Sequence, residues 1–194
     1  MYDLFLYNQM DSFMKSAKLR LVLFVVLLTT TIAFQPEEKS TVQWQTFESA
    51  IAKNEGKIKK KVFIDVYTDW CGWCKKMDAT TFSEKAVASY MNEHFYCGKL
   101  NAERCDSIRY NGKIYVNTCP SSKKSAHQLA IALLQGRMYY PSYVILDENN
   151  QKLTSFEGYL KPEEMMPILV YFAENHYLKM SWENFKKEYD DHKK

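Results

Sequence analysis

The segment Asp69-Trp70-Cys71-Gly72-Trp73-Cys74-Lys75-Lys76-Met77 places two thiols three positions apart, directly after the hydrophobic run Val62 to Tyr67 (VFIDVY). That spacing suits three kinds of chemistry. Two cysteines can supply half of a zinc site, close a structural disulfide, or exchange electrons with another thiol or disulfide. A zinc site needs a second ligand pair, and Cys105 and Cys119 stand fourteen positions apart with no CxxC or HxxxH of their own. His94, His127, His176 and His192 form no metal spacing, and no role attaches to them. A purely structural bridge is a poor use of a CxxC at a helix start. Thiol–disulfide exchange is the favoured reading.

The elements around the pair decide how it would react. Val62 to Tyr67 is β-branched and aromatic and reads as a buried strand, interrupted by one carboxylate, Asp65. KKMDATTF continues after Cys74 without a breaker, so Cys71 is expected to open a helix. A helix N-terminus presents unsatisfied N–H groups and the positive end of the macrodipole, which stabilise a thiolate. The first sulfur of such a pair is expected to be the more exposed, which makes Cys71 the nucleophile. Cys74, one turn in, is the resolving thiol that attacks the mixed disulfide and frees the partner. An ionised Asp65 in an apolar strand is costly unless paired, so its pKa is expected to rise into a range useful for proton transfer. The plain alternative is a strand-end carboxylate that solvent reaches.

Along the rest of the chain, Val42 to Ala52 carries Trp44, Phe47 and Ile51 at helical spacing. A second helix is expected over Glu84 to Glu93. Strands are expected over His94 to Asn101, Pro141 to Asp147 and Lys152 to Glu157. Pro162 opens a helix to about Glu174, in which Pro167 predicts a kink or a later start. A final amphipathic helix, with Trp182, Phe185 and Tyr189 on one side, is expected to pack on the domain. This order describes an α/β sandwich with a mixed sheet. The run Lys57 to Lys61 and the pair Lys123-Lys124 read as solvated charge.

With 194 residues, 46% of them hydrophobic and 25% charged, the chain suits one globular domain with additions. A net charge of +3 without a basic stripe argues against nucleic acid. Lys15, Lys18 and Arg20 precede the apolar run Leu21 to Phe34, and polar QPEEKS follows. That is the pattern of a secretory signal, residues 1–33, with Thr31-Ile32-Ala33 as the cleavage site. Residues 1–13 carry no positive side chain, which makes Met14 a candidate true start. The apolar run falls short of the about 20 residues of a membrane span. Periplasmic or secreted location is expected, with an uncleaved anchor as the alternative. Disulfides persist in such compartments.

VFIDVYTDWCGWCKKMD resembles the active-site strand and helix of the thioredoxin superfamily, most of all exported bacterial thioredoxin-like proteins whose motif runs WCGWCK. The resemblance extends from about Val42 to Glu174 and implies a thioredoxin fold. Asp65 falls where the family keeps a buried carboxylate that shuttles a proton to or from the resolving cysteine. Trp70 matches the tryptophan before the first cysteine, and Lys99 a strand lysine facing that carboxylate. Tyr140-Pro141 matches the cis-proline loop that binds substrate backbone, and Gly158 the glycine after the last strand. Trp70, Trp73, Tyr140 and Pro141 are then the expected substrate-binding residues. The domain is expected over residues 34–194, with a C-terminal helical extension at about 175–194.

One departure is an insertion at about residues 102–125, before the cis-proline strand. Asn111-Gly112 between alternating apolar residues signals a type I′ hairpin, and Cys105 and Cys119 lie almost symmetrically about it. A disulfide there would tie down a segment with little core of its own; a second redox pair is the rival reading. Cys97 shares a strand face with Lys99 and reads as a buried, inert thiol. A helix from Ala126 to Gln135 should follow the insertion. Together these features predict an exported protein-disulfide oxidoreductase, with a reductase favoured by the resemblance. An oxidase or isomerase would use the same residues, and a non-catalytic thioredoxin-fold binding module is the alternative from another class. No organic cofactor or metal is implied beyond the Cys71–Cys74 disulfide. Electrons would come from a partner such as a membrane-embedded thiol reductant donor, and exported proteins with disulfides would be the substrates.

Overall fold

Strand β2 (Lys61–Tyr67) is buried along nearly its whole length because it lies at the centre of a five-stranded sheet. The computed structural model describes residues 41–119 and 125–192, so the leader and Lys123-Lys124 lie outside the described residues. In chain order the elements before the insertion are β1 (Gln45–Thr46), α1 (Phe47–Lys53), β2, α2 (Gly72–Ala79), α3 (Lys85–His94) and β3 (Phe95–Asn101). The hairpin β4 (Ser107–Tyr110) and β5 (Lys113–Val116) comes next. After it follow α4 (Gln128–Leu134), β6 (Ser142–Leu146), β7 (Lys152–Glu157), α5 (Pro162–Ala173) and α6 (Trp182–Asp191). The sheet order is β1-β3-β2-β6-β7, parallel across its first three strands and antiparallel across the last two.

The alternation of β2 supplies two hydrophobic layers. Val62, Ile64 and Val66 face a core with Phe47 and Ala50 of α1, Leu129 and Leu133 of α4, and Ile108 and Tyr110 of the hairpin. Phe63 faces the other core, with Met77 of α2, Val87 and Met91 of α3, and Met165 and Leu169 of α5. Asp65 is two residues from Phe63 and therefore points to the α2 side, where a charge must find a partner.

Three expectations need correction. The first helix does not begin at Val42: Gln45 and Thr46 pair in parallel with Gly98 and Lys99, and the Thr46 side chain caps α1 by accepting the Ser49 N–H at 3.2 Å. A two-residue strand has no period of its own, so the helical spacing of its neighbours absorbed it. Lys61 is not solvated either; it is buried, and its ammonium reaches Glu148 and Asn175, each at 2.7 Å. As expected, α5 opens at Pro162, and it runs through Pro167. The hairpin also has more core than its sequence suggested. Ile108 and Tyr110 are buried, and Asn111 and Gly112 both take positive φ, as the turn type requires.

Gly98 lets α1 lie close against β3. A Cβ there would meet Ile64 Cδ1 at 2.8 Å, Ala50 Cβ at 3.0 Å and the Phe47 Cα at 3.5 Å. Gly98→Ala is therefore expected to destabilise the protein by about 1–3 kcal/mol, the usual cost of overpacking a dense core. Urea denaturation measures it, and an unchanged midpoint would show that α1 packs less tightly than this.

Candidate functional site

Cys71 is the N-cap of α2, and its Sγ accepts the Cys74 N–H at 3.0 Å. The two sulfurs form a disulfide, with Cα atoms 5.3 Å apart. The expected difference in exposure is absent in this oxidised form, since each residue is 4% exposed. What distinguishes Cys71 is electrostatic. Its sulfur occupies the place where a helix N-terminus gathers free N–H groups, so a thiolate there is held by a backbone donor and by the dipole.

Below the helix start, registry brings three polar side chains to one face of the sheet. Asp65 pairs with Lys99 across β2–β3 and with Tyr143 across β2–β6. Lys99 Nζ donates to Asp65 Oδ2 at 2.8 Å, and to Asp78 Oδ1 and Oδ2 at 2.7 and 2.9 Å. The ammonium also lies over two aromatic rings, with Nζ 4.8 Å from the Trp44 ring centroid and 5.2 Å from that of Tyr67. Asp65 is 2% exposed, and its Oδ1 has no hydrogen-bond partner among the described residues. Burial lifts its pKa from 3.8 to about 6, and the Lys99 charge limits the rise. Desolvation pulls Lys99 the other way, but the Asp65 and Asp78 carboxylates outweigh it and raise its pKa.

Asp78 was missed on the sequence, although a signal was present. It lies four residues after Cys74, hence one turn further along the same face of α2. Trp44 was expected on a helix face and instead covers Lys99. His127, given no role on the sequence, is fully buried as the N-cap of α4, where Nδ1 accepts the Leu129 N–H at 3.1 Å.

Around the disulfide lies an aromatic rim. Trp70 and Trp73 are 56% and 55% exposed. Trp70 meets the Tyr140 ring edge-on at 6.0 Å, and its Nε1–H donates to Glu103 Oε2 at 3.0 Å. Trp73 packs against Tyr159, and Lys76 Nζ sits over both rings. The Tyr140–Pro141 peptide is cis, and the Pro141 carbonyl accepts the N–H of Gly158, whose φ of +99° favours glycine. Cys97 is the free cysteine among the described residues; it is buried, and burial pushes its pKa up to about 12. Cys105 and Cys119 are joined by a disulfide. No group of three or more metal-ligating side chains occurs among the described residues, and no helix among them is long and apolar enough to cross a membrane.

The family model described as "Thioredox_DsbH: Protein of unknown function, DUF255" matches residues 29–193, most of the chain. The chain belongs to this family. The family model and the fold agree with the Cys71–Cys74 pair, and the class is that of thioredoxin-fold, disulfide-oxidoreductase-like proteins. Among solved structures, a thioredoxin-fold protein from Helicobacter pylori is 12% identical, with a TM-score of 0.52 over 79% of this chain and 89% of that one. A "DsbH Oxidoreductase" is 17% identical, with a TM-score of 0.49 over 72% of this chain and 88% of that one. A putative disulphide-isomerase from Bacteroides thetaiotaomicron is 21% identical, with a TM-score of 0.45, covering 67% and 90%. No curated protein sequence matches significantly. The likeness to the Helicobacter pylori structure supports the fold.

The raised pKa of Asp65 makes stability depend on pH. Between about pH 4 and 6 the folded chain holds a proton that the unfolded chain has released, so stability falls as the pH rises through that window. The loss reaches roughly 3 kcal/mol above pH 6. Asp65→Asn removes it, so the oxidised variant is expected to be more stable than the parent by about 2–3 kcal/mol at pH 8 and near parity at pH 4. Urea denaturation at the two pH values measures both; an equal difference at each would contradict the assignment.

Proposed function

We propose that the chain is an exported thiol–disulfide oxidoreductase that reduces disulfides in exported proteins. The observation that carries this reading is the placement of Cys71 Sγ on the Cys74 N–H at the mouth of α2, a helix whose Asp78 shares the Lys99 ammonium with Asp65, a buried carboxylate with a raised pKa. In the reduced form, the Cys71 thiolate attacks one sulfur of a substrate disulfide. The substrate S–S bond breaks, one substrate sulfur leaves as thiolate, and a Cys71–substrate disulfide forms. Cys74 then gives its proton to Asp65 and attacks Cys71 Sγ. The second substrate thiolate departs, leaving the Cys71–Cys74 disulfide. Two electrons have passed to the substrate, and the pair is restored by an equivalent dithiol, for which a membrane-embedded thiol reductant donor is our choice.

Trp70, Trp73, Tyr140 and Pro141 hold the substrate segment in this scheme, and Lys99 keeps the ionised Asp65 within the apolar layer. The signal-like leader supports export. A second disulfide on the same chain agrees with it, since such bonds persist in oxidising compartments.

Insulin reduction tests the proposal. Cys71→Ser is expected to fall to background, and Cys74→Ser to lose turnover while accumulating a covalent Cys71–substrate adduct visible by mass spectrometry. Undiminished activity in Cys71→Ser would contradict the assignment. A parent protein that binds substrates but never exchanges would make this a binding module.

A further inference from the structure

On the sequence, a Cys105–Cys119 bridge has two readings, a tie for an insertion with little core of its own or a second redox pair. The structure removes the reason for the first. Ile108 and Tyr110 are buried in the main core, the Tyr110 ring stands edge-on to Phe47 at 5.4 Å, and the Tyr110 hydroxyl donates to the Asn150 carbonyl at 2.6 Å. At the base of the hairpin the Asn117 N–H donates to the Asp106 carbonyl at 3.0 Å. The Asn117 side chain also donates to the carbonyls of Arg104 and Ser125 at 3.0 and 2.8 Å. The hairpin is closed without its sulfurs. Cys119 joins this network only through its backbone N–H, which donates to Asn117 Oδ1 at 3.1 Å, while Cys105 is exposed and Cys119 half-buried.

What the bridge does touch is Glu103. Cys105 Sγ lies 3.7 Å and Cys119 Sγ 4.0 Å from the Glu103 carbonyl oxygen. The carboxylate of the same residue accepts the Trp70 Nε1–H. Trp70 is covalently next to Cys71 and packs on Tyr140, which precedes the cis proline. One residue thus spans the distance between the outer disulfide and the indole beside the inner one.

We propose that Cys105–Cys119 is a second thiol-exchange site, and that its oxidation state sets, through Glu103, how fast the Cys71–Cys74 pair exchanges. This rests on the reading of Cys71–Cys74 as an exchange centre. A thiolate of a dithiol, either a small molecule or a reduced copy of this chain, attacks the exposed Cys105 Sγ. The Cys105–Cys119 bond breaks, and Cys119 leaves as a thiolate and takes a proton. The second thiol of the attacker resolves the mixed disulfide, so Cys105 is released as a thiol and the attacker departs as a disulfide. Two electrons and two protons have moved to the outer pair. The backbone of residues 103 and 104 stays held by Asn101 and Asn117, but the two sulfurs that flank the Glu103 carbonyl are no longer joined, so Glu103 shifts, its hydrogen bond to Trp70 loosens, and the rim beside Cys71 is held less firmly. Reduction of the outer pair slows the inner one. Glu103 acts as a positioning residue.

Two measurements test this on the folded protein. Graded glutathione buffers followed by alkylation and mass spectrometry are expected to label Cys105 and Cys119 in chains that keep their near-UV circular dichroism. An outer pair that stays closed until the chain unfolds overturns the exchange site. Stopped-flow reduction of Cys71–Cys74 by dithiothreitol reads the coupling. Cys105→Ser/Cys119→Ser and Glu103→Ala are each expected to slow it by about tenfold, the rate equivalent of one charge-assisted hydrogen bond. The combined triple variant is expected to be no slower than either, because all act through one contact. Glu103→Gln keeps a carbonyl acceptor for the Trp70 N–H and is expected to stay near the parent rate. Unchanged rates in all variants, or losses that add, overturn the coupling and leave the oxidoreductase reading standing. A parent pair that does not react with dithiothreitol overturns both.

Discussion

A single ammonium group, Lys99 Nζ, is shared between the buried carboxylate of Asp65 and the half-buried carboxylate of Asp78, and the site depends on that sharing. It joins β2 to β3 by registry and the sheet to α2 by Asp78. Without it, an ionised Asp65 would stand alone in an apolar layer, a cost far greater than the stability of a small domain tolerates. With it, Asp65 is kept at a pKa of about 6, where a carboxyl can take up and release a proton at ordinary pH. Trp44 and Tyr67 flank the ammonium, which accounts for the short strand β1 ahead of α1: it carries the chain past Lys99 before the helix turns away.

The upper half of the site is built by different means. Cys71 is positioned by a helix cap, Pro141 by a loop held at Gly158, and Trp70 by a hydrogen bond to Glu103. Trp70 and Cys71 are neighbours in the chain, whereas Glu103 and the Tyr140–Pro141 loop come from separate stretches and reach them through Trp70. The insertion therefore does more than decorate the fold. It contributes Ile108 and Tyr110 to the core below α1, and through Glu103 it reaches the rim of the site.

Much of this was legible in residue types and spacing. The CxxC at a helix start, the apolar run of β2 with its one carboxylate, and the Asn111-Gly112 turn each carry a local physical signal, and local signals survive in a single sequence. The cis proline and the pairing of Lys99 with Asp65 came from resemblance, since no spacing distinguishes Pro141 from a trans proline, whereas the raised pKa of Asp65 also followed from a lone carboxylate in an apolar strand. The failures share a cause, which is partnership over long sequence distances. Lys61 looked solvated because its acceptors, Glu148 and Asn175, lie 87 and 114 positions away. Gln45 and Thr46 looked helical because their pairing with Gly98 and Lys99 is invisible to a local window. Glu103 had no signal at all, whereas Asp78 had one in its four-residue offset from Cys74.

The central claim, that Cys71 and Cys74 cycle between dithiol and disulfide to deliver electrons, rests on one quantity. Equilibration of the protein with thiol–disulfide buffers, followed by quantification of the two states of this pair, gives its reduction potential. The account expects a value near that of thioredoxin, roughly −270 mV. A value near that of a strong oxidant, roughly −120 mV, would contradict the reducing direction and make the chain a donor of disulfides.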